Sequence, residues 1–155
     1  LVDQIGGFDE SLLTNEDYEF NVRIRNSGGR IWLDPAIRSI YYARENLPEL
    51  SSQYWRYGFW KFKMLKRFPD SIRWRQAIPP LFVLFLVLFG ILSFVSSFAL
   101  IIFSAVTGLY LSTLLAAGIF ESVKKKDACY LLMTFAFITM HLSWGGGFLF
   151  SIFKN

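Results

Sequence analysis

Polar and apolar positions fall into two regimes that meet at residue 77. Residues 77–120 contain no Asp, Glu, Lys, Arg or His. This uncharged run of 44 residues is about twice the ~20 residues that cross a bilayer once. It therefore predicts two spans, 77–96 and 98–120, with Pro79-Pro80 at the entrance and a turn in the most polar interior stretch, Ser93 to Ser97. The loop Glu121-Ser122-Val123-Lys124-Lys125-Lys126-Asp127 follows. A third span is predicted over 128–153, interrupted by His141 and Gly145-Gly146-Gly147.

The first 76 residues read differently. Leu1 to Leu13 is a predicted loop, with turn signals at Gly6-Gly7 and Asp9-Glu10. Thr14 or Asn15 can cap a helix, and Thr14-x-x-Asp17 fits a capping box. Leu13, Asp17, Phe20 or Asn21, and Ile24 then recur at helical spacing, which puts Asp17 on the apolar stripe and Glu16 off it. Glu19 and Arg23 form a favourable i,i+4 pair, and Asn26-Ser27-Gly28-Gly29 ends the helix. Arg30 to Leu33 and Ile37 to Tyr42 are strand candidates separated by Asp34-Pro35. A second helix starts at Leu47, with Pro48 in its first turn, and runs to a break at Phe68-Pro69-Asp70. Ser71 to Gln76 is a short basic link.

Composition sharpens this division. Hydrophobic residues make up 54% of the chain and mean hydropathy is +0.37, yet the first 76 residues hold 12 of the 16 basic and 10 of the 12 acidic side chains. Arg56, Lys61, Lys63, Lys66, Arg67, Arg73 and Arg75 precede the apolar run and are opposed by Asp70 alone. The net charge of +4 is thus gathered at a membrane margin rather than spread over a nucleic-acid surface. Under the positive-inside rule that margin is cytoplasmic, two crossings return the triple lysine to the same side, and the third span leaves the C-terminus outside. Aromatics and lysines interleave along 47–67, as in a helix lying in the headgroup plane. The single Cys129 has no partner for a disulfide or a metal knot and reads as a small buried hydrophobe. The chain opens on Leu1-Val2-Asp3, which is expected of a piece of a longer protein.

Several residues have two readings. Glu16-Asp17 is accounted for by the positive end of a helix dipole, or else one carboxylate faces a cleft as a general base. Gly6-Gly7 is a bare turn or a place where backbone approaches a ligand closely. Arg56, ahead of the apolar run, can contact lipid headgroups. His141 in an apolar run bonds a neighbouring helix or marks a site. Gly145-Gly146-Gly147 allows close helix packing or a local break, and is no phosphate loop because no lysine follows it.

The order Gly6-Gly7-Phe8-Asp9-Glu10, Asn15-Glu16-Asp17-Tyr18-Glu19, Arg23, Gly28-Gly29, the Arg44 region, Gln53-Tyr54-Trp55-Arg56-Tyr57-Gly58 and His141-Leu142-Ser143-Trp144-Gly145-Gly146-Gly147-Phe148 resembles the C-terminal part of membrane-bound family 2 glycosyltransferases of the bacterial exopolysaccharide type. The resemblance implies an α/β fragment, the acceptor-side portion of a Rossmann-like GT-A domain, followed by an all-α transmembrane region. On that reading 1–46 belongs to the glycosyltransferase domain, 47–76 is an interfacial helix with its basic link, and 77–153 is embedded.

It further implies Asp17 as the catalytic base, with Glu16, Gly6, Gly7, Gln53, Arg56 and Tyr57 on the acceptor and donor-diphosphate side. Gln53 and Arg56 match a Gln-x-x-Arg-Trp motif in which Tyr57 replaces the tryptophan. The donor would be a nucleotide sugar, and the acceptor a polysaccharide or lipid-linked sugar at the cytoplasmic face of the inner membrane. Members also use a divalent metal, Mg or Mn, held by an Asp-x-Asp motif. No Asp-x-Asp occurs here, so no metal ligand is assigned, the motif is expected upstream of this chain, and the fragment alone is expected to be inactive. The competing expectation is a non-enzymatic membrane scaffold or transporter segment whose acidic helix binds a partner.

Overall fold

The computed structural model describes residues 2–12, 14–69 and 73–154; Leu13 of the stripe, Asp70 of the break and Ser71 of the link lie outside the described residues. Among the described residues six α-helices form: α1 (Val2–Ile5), α2 (Glu16–Asn26), α3 (Leu47–Arg67), α4 (Trp74–Leu92), α5 (Ser97–Lys125) and α6 (Met133–Phe153), the last entered through a 3₁₀ turn at Ala128–Leu132. Three segments are long and apolar enough to cross a membrane, Trp74–Leu92, Ser97–Lys125 and Ala128–Phe153, and the chain is a membrane protein.

The expected α/β fragment is not formed. The described residues are 74% helical, and no strand is present among them. Both strand candidates are irregular, joined by a turn in which the Ile37 amide donates to the Asp34 carbonyl and the Ala36 amide to Asp34 Oδ1. The cause is pairing: a strand needs a neighbour for its N–H and C=O groups, and none lies beside these segments. Trp32 (86% exposed), Ile40 and Tyr42 therefore stand in the open. β propensity without a partner makes no sheet.

Local signals account for most helix ends. Asn46 Oδ1 accepts from the Glu49 amide at 2.9 Å to start α3, with Pro48 in the first turn. Ser96 caps α5 by accepting from the Ala99 amide, and Lys126 ends it in a left-handed conformation, φ 56°. α5 thus continues through Glu121, Lys124 and Lys125, beyond the boundary expected at 120. α4 starts at Trp74 and takes both Pro79 and Pro80 into the helix.

The α4–α5 hairpin turns at Ser93–Ser96 and packs antiparallel, with Phe103 close to Gly90 near the tip and the Phe82 and Tyr110 rings 4.5 Å apart lower down. The most extensive helix contact in the molecule is between α3 and α6. There the backbones touch: a Cβ on Gly58 would come within 2.0 Å of the Trp144 carbonyl oxygen, and one on Gly147 within 2.2 Å of the Trp55 carbonyl oxygen. Ser51 and Ser143 hydroxyls bond at 2.8 Å along the same seam, and the Phe62 and Phe148 rings meet edge to face. Of the two readings of the glycine run, close packing is the one formed; α6 continues through it unbroken.

The opposite side of α3 receives the N-terminal segment. Asn15 Nδ2 donates to the Tyr57 carbonyl, Lys61 Nζ sits 3.7 Å from the Tyr18 ring centroid, and Arg67 bonds Asp9. Gly147→Ala or Gly58→Ala is expected to destabilise the protein in detergent by at least about 2 kcal/mol, because backbone rather than a flexible side chain must yield. Gly108→Ala, which meets nothing within 4 Å, is the control and should leave the thermal midpoint unchanged.

Candidate functional site

The N-terminal segment is organised around one buried ion pair. Glu19 is 3% exposed and accepts two bonds from Arg23, at 2.7 and 2.9 Å. The same guanidinium donates to the carbonyls of Ile5, Gly6 and Gly7, the last at 2.6 Å. Glu19 raises the Arg23 pKa, so the clamp holds its charge. Gly6 takes the left-handed conformation, φ 79°, that lets its carbonyl turn toward Arg23. Gly6 and Gly7 are thereby tied to Arg23 and do not line the cleft described next.

Placing a carboxylate inside also rotates α2 relative to the sequence expectation. Its buried positions are Glu19 and Val22, not the stripe through Asp17. Asn15, at φ 68°, is the N-cap, and its side chain makes no capping bond; it reaches Tyr57 instead. The expected capping box from Thr14 is thus replaced by a tie to α3. Glu16 is half-buried and Asp17 exposed, the reverse of the periodicity reading.

An open cleft of about 430 Å³ lies between the start of α2 and α3, lined by Thr14, Glu16, Arg44, Gln53, Arg56, Tyr57 and Trp60. Four residues singled out from sequence, Glu16, Gln53, Arg56 and Tyr57, meet here from segments some 40 residues apart. Asp17 follows Glu16 on the next helical position, outside the lining, with Oδ1 accepting from the Tyr18 amide at 2.7 Å. Gln53 is 5% exposed and joins three partners: its Nε2 donates to the Tyr57 hydroxyl at 2.6 Å and the Tyr41 hydroxyl at 3.1 Å, and its Oε1 accepts from Arg44 Nε at 3.1 Å. Arg44 thus stands beside Arg56 as a second cation in the wall. The Arg44 region had a place in the resemblance but no role. Its nine-residue offset from Gln53 crosses from loop to helix, which no period reveals.

Lys61 lies behind this wall, 3% exposed against Tyr18. Burial, and secondarily repulsion from Arg73, push its pKa down from the usual 10.5 to about 8. Among the described residues no three His, Cys, Asp or Glu side chains converge. His141 bonds Tyr110 through Nδ1 at 3.1 Å between α5 and α6, the neighbour-bonding reading. Cys129 is exposed rather than buried, because the 3₁₀ turn carries it past the end of α5.

A cleft lined by polar, charged and aromatic side chains, standing on apolar helices, defines a membrane protein. The chain is 30% identical over 144 residues to the succinoglycan biosynthesis protein ExoA of Rhizobium meliloti (strain 1021), covering 93% of this chain and 42% of that protein. It is also 30% identical over 96 residues to the dolichyl N-acetyl-alpha-D-glucosaminyl phosphate 3-beta-D-2,3-diacetamido-2,3-dideoxy-beta-D-glucuronosyltransferase of Methanococcus voltae, covering 61% and 30%. The chain is therefore a relative of glycosyltransferases of exopolysaccharide and lipid-linked sugar biosynthesis, and it spans less than half the length of these two relatives. No family profile matches it, and no solved structure matches.

Gln53→Ala would remove the bonds that tie Tyr41, Tyr57 and Arg44 together, each worth about 0.5–1.5 kcal/mol. Limited proteolysis should then cut residues 41–46 roughly tenfold faster, following about 1.4 kcal/mol per decade. The Lys61 shift gives a second expectation. Between about pH 8 and 10.5 the unfolded chain binds the proton that the folded chain has released, so stability rises with pH across that window. Thermal melts of the wild type should show this rise, and Lys61→Met should flatten it.

Proposed function

We propose that the full-length protein transfers a sugar from a nucleotide-sugar donor to a polysaccharide or lipid-linked acceptor at the cytoplasmic face of the inner membrane, with inversion at the anomeric carbon. The observation that carries this reading is the cleft itself, where Glu16, Gln53, Arg56 and Tyr57 converge in a relative of glycosyltransferases. Arg56 and Arg44 supply the positive charge that a departing nucleoside diphosphate needs, and the guanidinium fork can meet two phosphate oxygens at once. Tyr57 and Trp60 provide flat apolar walls for sugar rings. Gln53 fixes Tyr57 and Arg44 and so sets the shape of the wall.

Asp17 is assigned as the base. It takes the proton of the acceptor hydroxyl, whose oxygen then bonds the anomeric carbon while the bond to the diphosphate oxygen breaks. Its place at a helix start braced against α3 through Asn15 suits a group that must keep its position. Glu16, one residue away inside the cleft, shapes the acceptor side.

Two adjacent carboxylates make the assignment easy to test. In the full-length protein, Asp17→Asn should reduce turnover at least 10³-fold while donor affinity, read by equilibrium binding, changes less than about twofold. Glu16→Gln should lose no more than about tenfold. If Glu16→Gln proves the crippling change and Asp17→Asn retains activity, the base is Glu16. A full-length protein that binds no nucleotide sugar would instead act as a scaffold.

A further inference from the structure

Length and hydropathy make α6 a candidate span, but its contacts place it elsewhere. We infer that α6 does not cross the bilayer: it lies with α3 at the base of the α4–α5 hairpin, with its outer apolar face seated at the headgroup–acyl boundary of the lipid.

The contacts of α6 with the hairpin lie between its base and its middle. Gly145 sits against Pro79 and Val83 of α4, and His141 bonds Tyr110 of α5. Thr134 Oγ1 donates to the Leu114 carbonyl at 3.3 Å and packs against Gly118. These α4 and α5 positions run from the end next to Arg73, Arg75 and Lys124–Lys126 to the middle of the hairpin and stop short of the Ser93–Ser96 tip. At about 1.5 Å per residue, Val83 lies only some 14 Å along α4 from Trp74. Yet α6 has 21 residues, enough for about 31 Å. A helix of that length running down the hairpin would reach the tip; α6 crosses the base.

Its closest neighbour confirms the level. Leu47 and Leu50 of α3 border the same hollow as Met133 and Ala136 of α6. Ser51 then meets Ser143, Trp55 meets Gly147 and Phe62 meets Phe148, so the two helices run side by side in the same direction. α3 carries Glu49, Arg56, Lys61, Lys63, Lys66 and Arg67. If α6 spanned, α3 would draw these six charges through hydrocarbon, which is costly even with pairing.

Side-chain placement fits a boundary layer. Lys63 lies 5.0 Å from the Phe59 ring and 5.1 Å from the Trp60 ring, Lys66 5.3 Å from Phe62, and Lys154 6.0 Å from Phe150. Amines folded over aromatic rings are the arrangement of helices lying in an interface. Phe135, Phe150 and Phe153 remain exposed along one side of α6, an apolar strip ending at a lysine. A leaflet with anionic headgroups matches both parts.

The consequence is topological. Within this chain the membrane is crossed twice, by α4 and α5, and Lys154 stays on the side of residues 2–69, opposite to the side that three crossings require. Full-length protein freed of its native cysteines, Cys129→Ser included, can carry one new cysteine at Lys125, Val95 or Lys154, and be treated with a membrane-impermeant maleimide in sealed vesicles of each orientation. Lys154→Cys and Lys125→Cys should react from the same face, at least tenfold faster than from the other, and Val95→Cys from the opposite face. Reaction of Lys154→Cys from the Val95 face, or from neither face, would overturn the inference. So would Val95 reacting from the Lys125 face. Transferase activity does not enter the readout, so the outcome is independent of the catalytic proposal.

Discussion

Main-chain contact between α3 and α6 holds the molecule together. It exists because hydrogen stands where other residues carry Cβ at Gly58 and Gly147, letting the Trp144 and Trp55 carbonyls come within van der Waals reach. Most hydrophobic side chains of the apolar helices face outward, toward what lipid supplies rather than toward each other. In such surroundings apolar burial between helices contributes little, and close packing of small residues contributes most. α3 then becomes a shared wall, with α6 on one side and the polar segment on the other.

The polar side depends on electrostatics. Among the described residues of the N-terminal segment the buried apolar side chains are Leu12 and Val22, and these two would not by themselves fix α2. Buried Glu19 and the Arg23 clamp supply the missing constraint by pinning the Gly6-Gly7 carbonyls to α2, while Asn15 and Tyr18 pin α2 to α3. A buried pair of this kind costs desolvation, but its directional bonds select one arrangement. That arrangement turns Glu16 into the cleft.

Legibility in the sequence followed the range of the interactions. The start of α3 at Leu47-Pro48, the hairpin turn at Ser93–Ser96 and the Glu19–Arg23 pair rest on residues a few positions apart, and each was readable. Residues 30–42 were misread because β-branched and aromatic content reports a preference that only a pairing partner can realise. The inward face of α2 was misread because periodicity assumes that apolar residues turn inside, whereas here the inward residue is a glutamate. Within the cleft, the likeness to glycosyltransferases pointed to Glu16, Gln53, Arg56 and Tyr57, but the contribution of Arg44 depends on a loop path that no local pattern encodes. Hydropathy found α6 and could not orient it, since orientation rests on contacts with α3 and the hairpin.

Arg56 follows Trp55, the residue whose carbonyl abuts Gly147. One wall of the cleft is thus indexed to a seam in which backbone meets backbone. Such a seam has almost no give, unlike one padded by leucine or methionine side chains that can shift rotamer. Variation in what the cleft admits must therefore arise on its other wall, in α2 and the segment through Arg44. The architecture separates a fixed jaw, gauged against the membrane-side helices, from an adjustable one hung on a few polar ties.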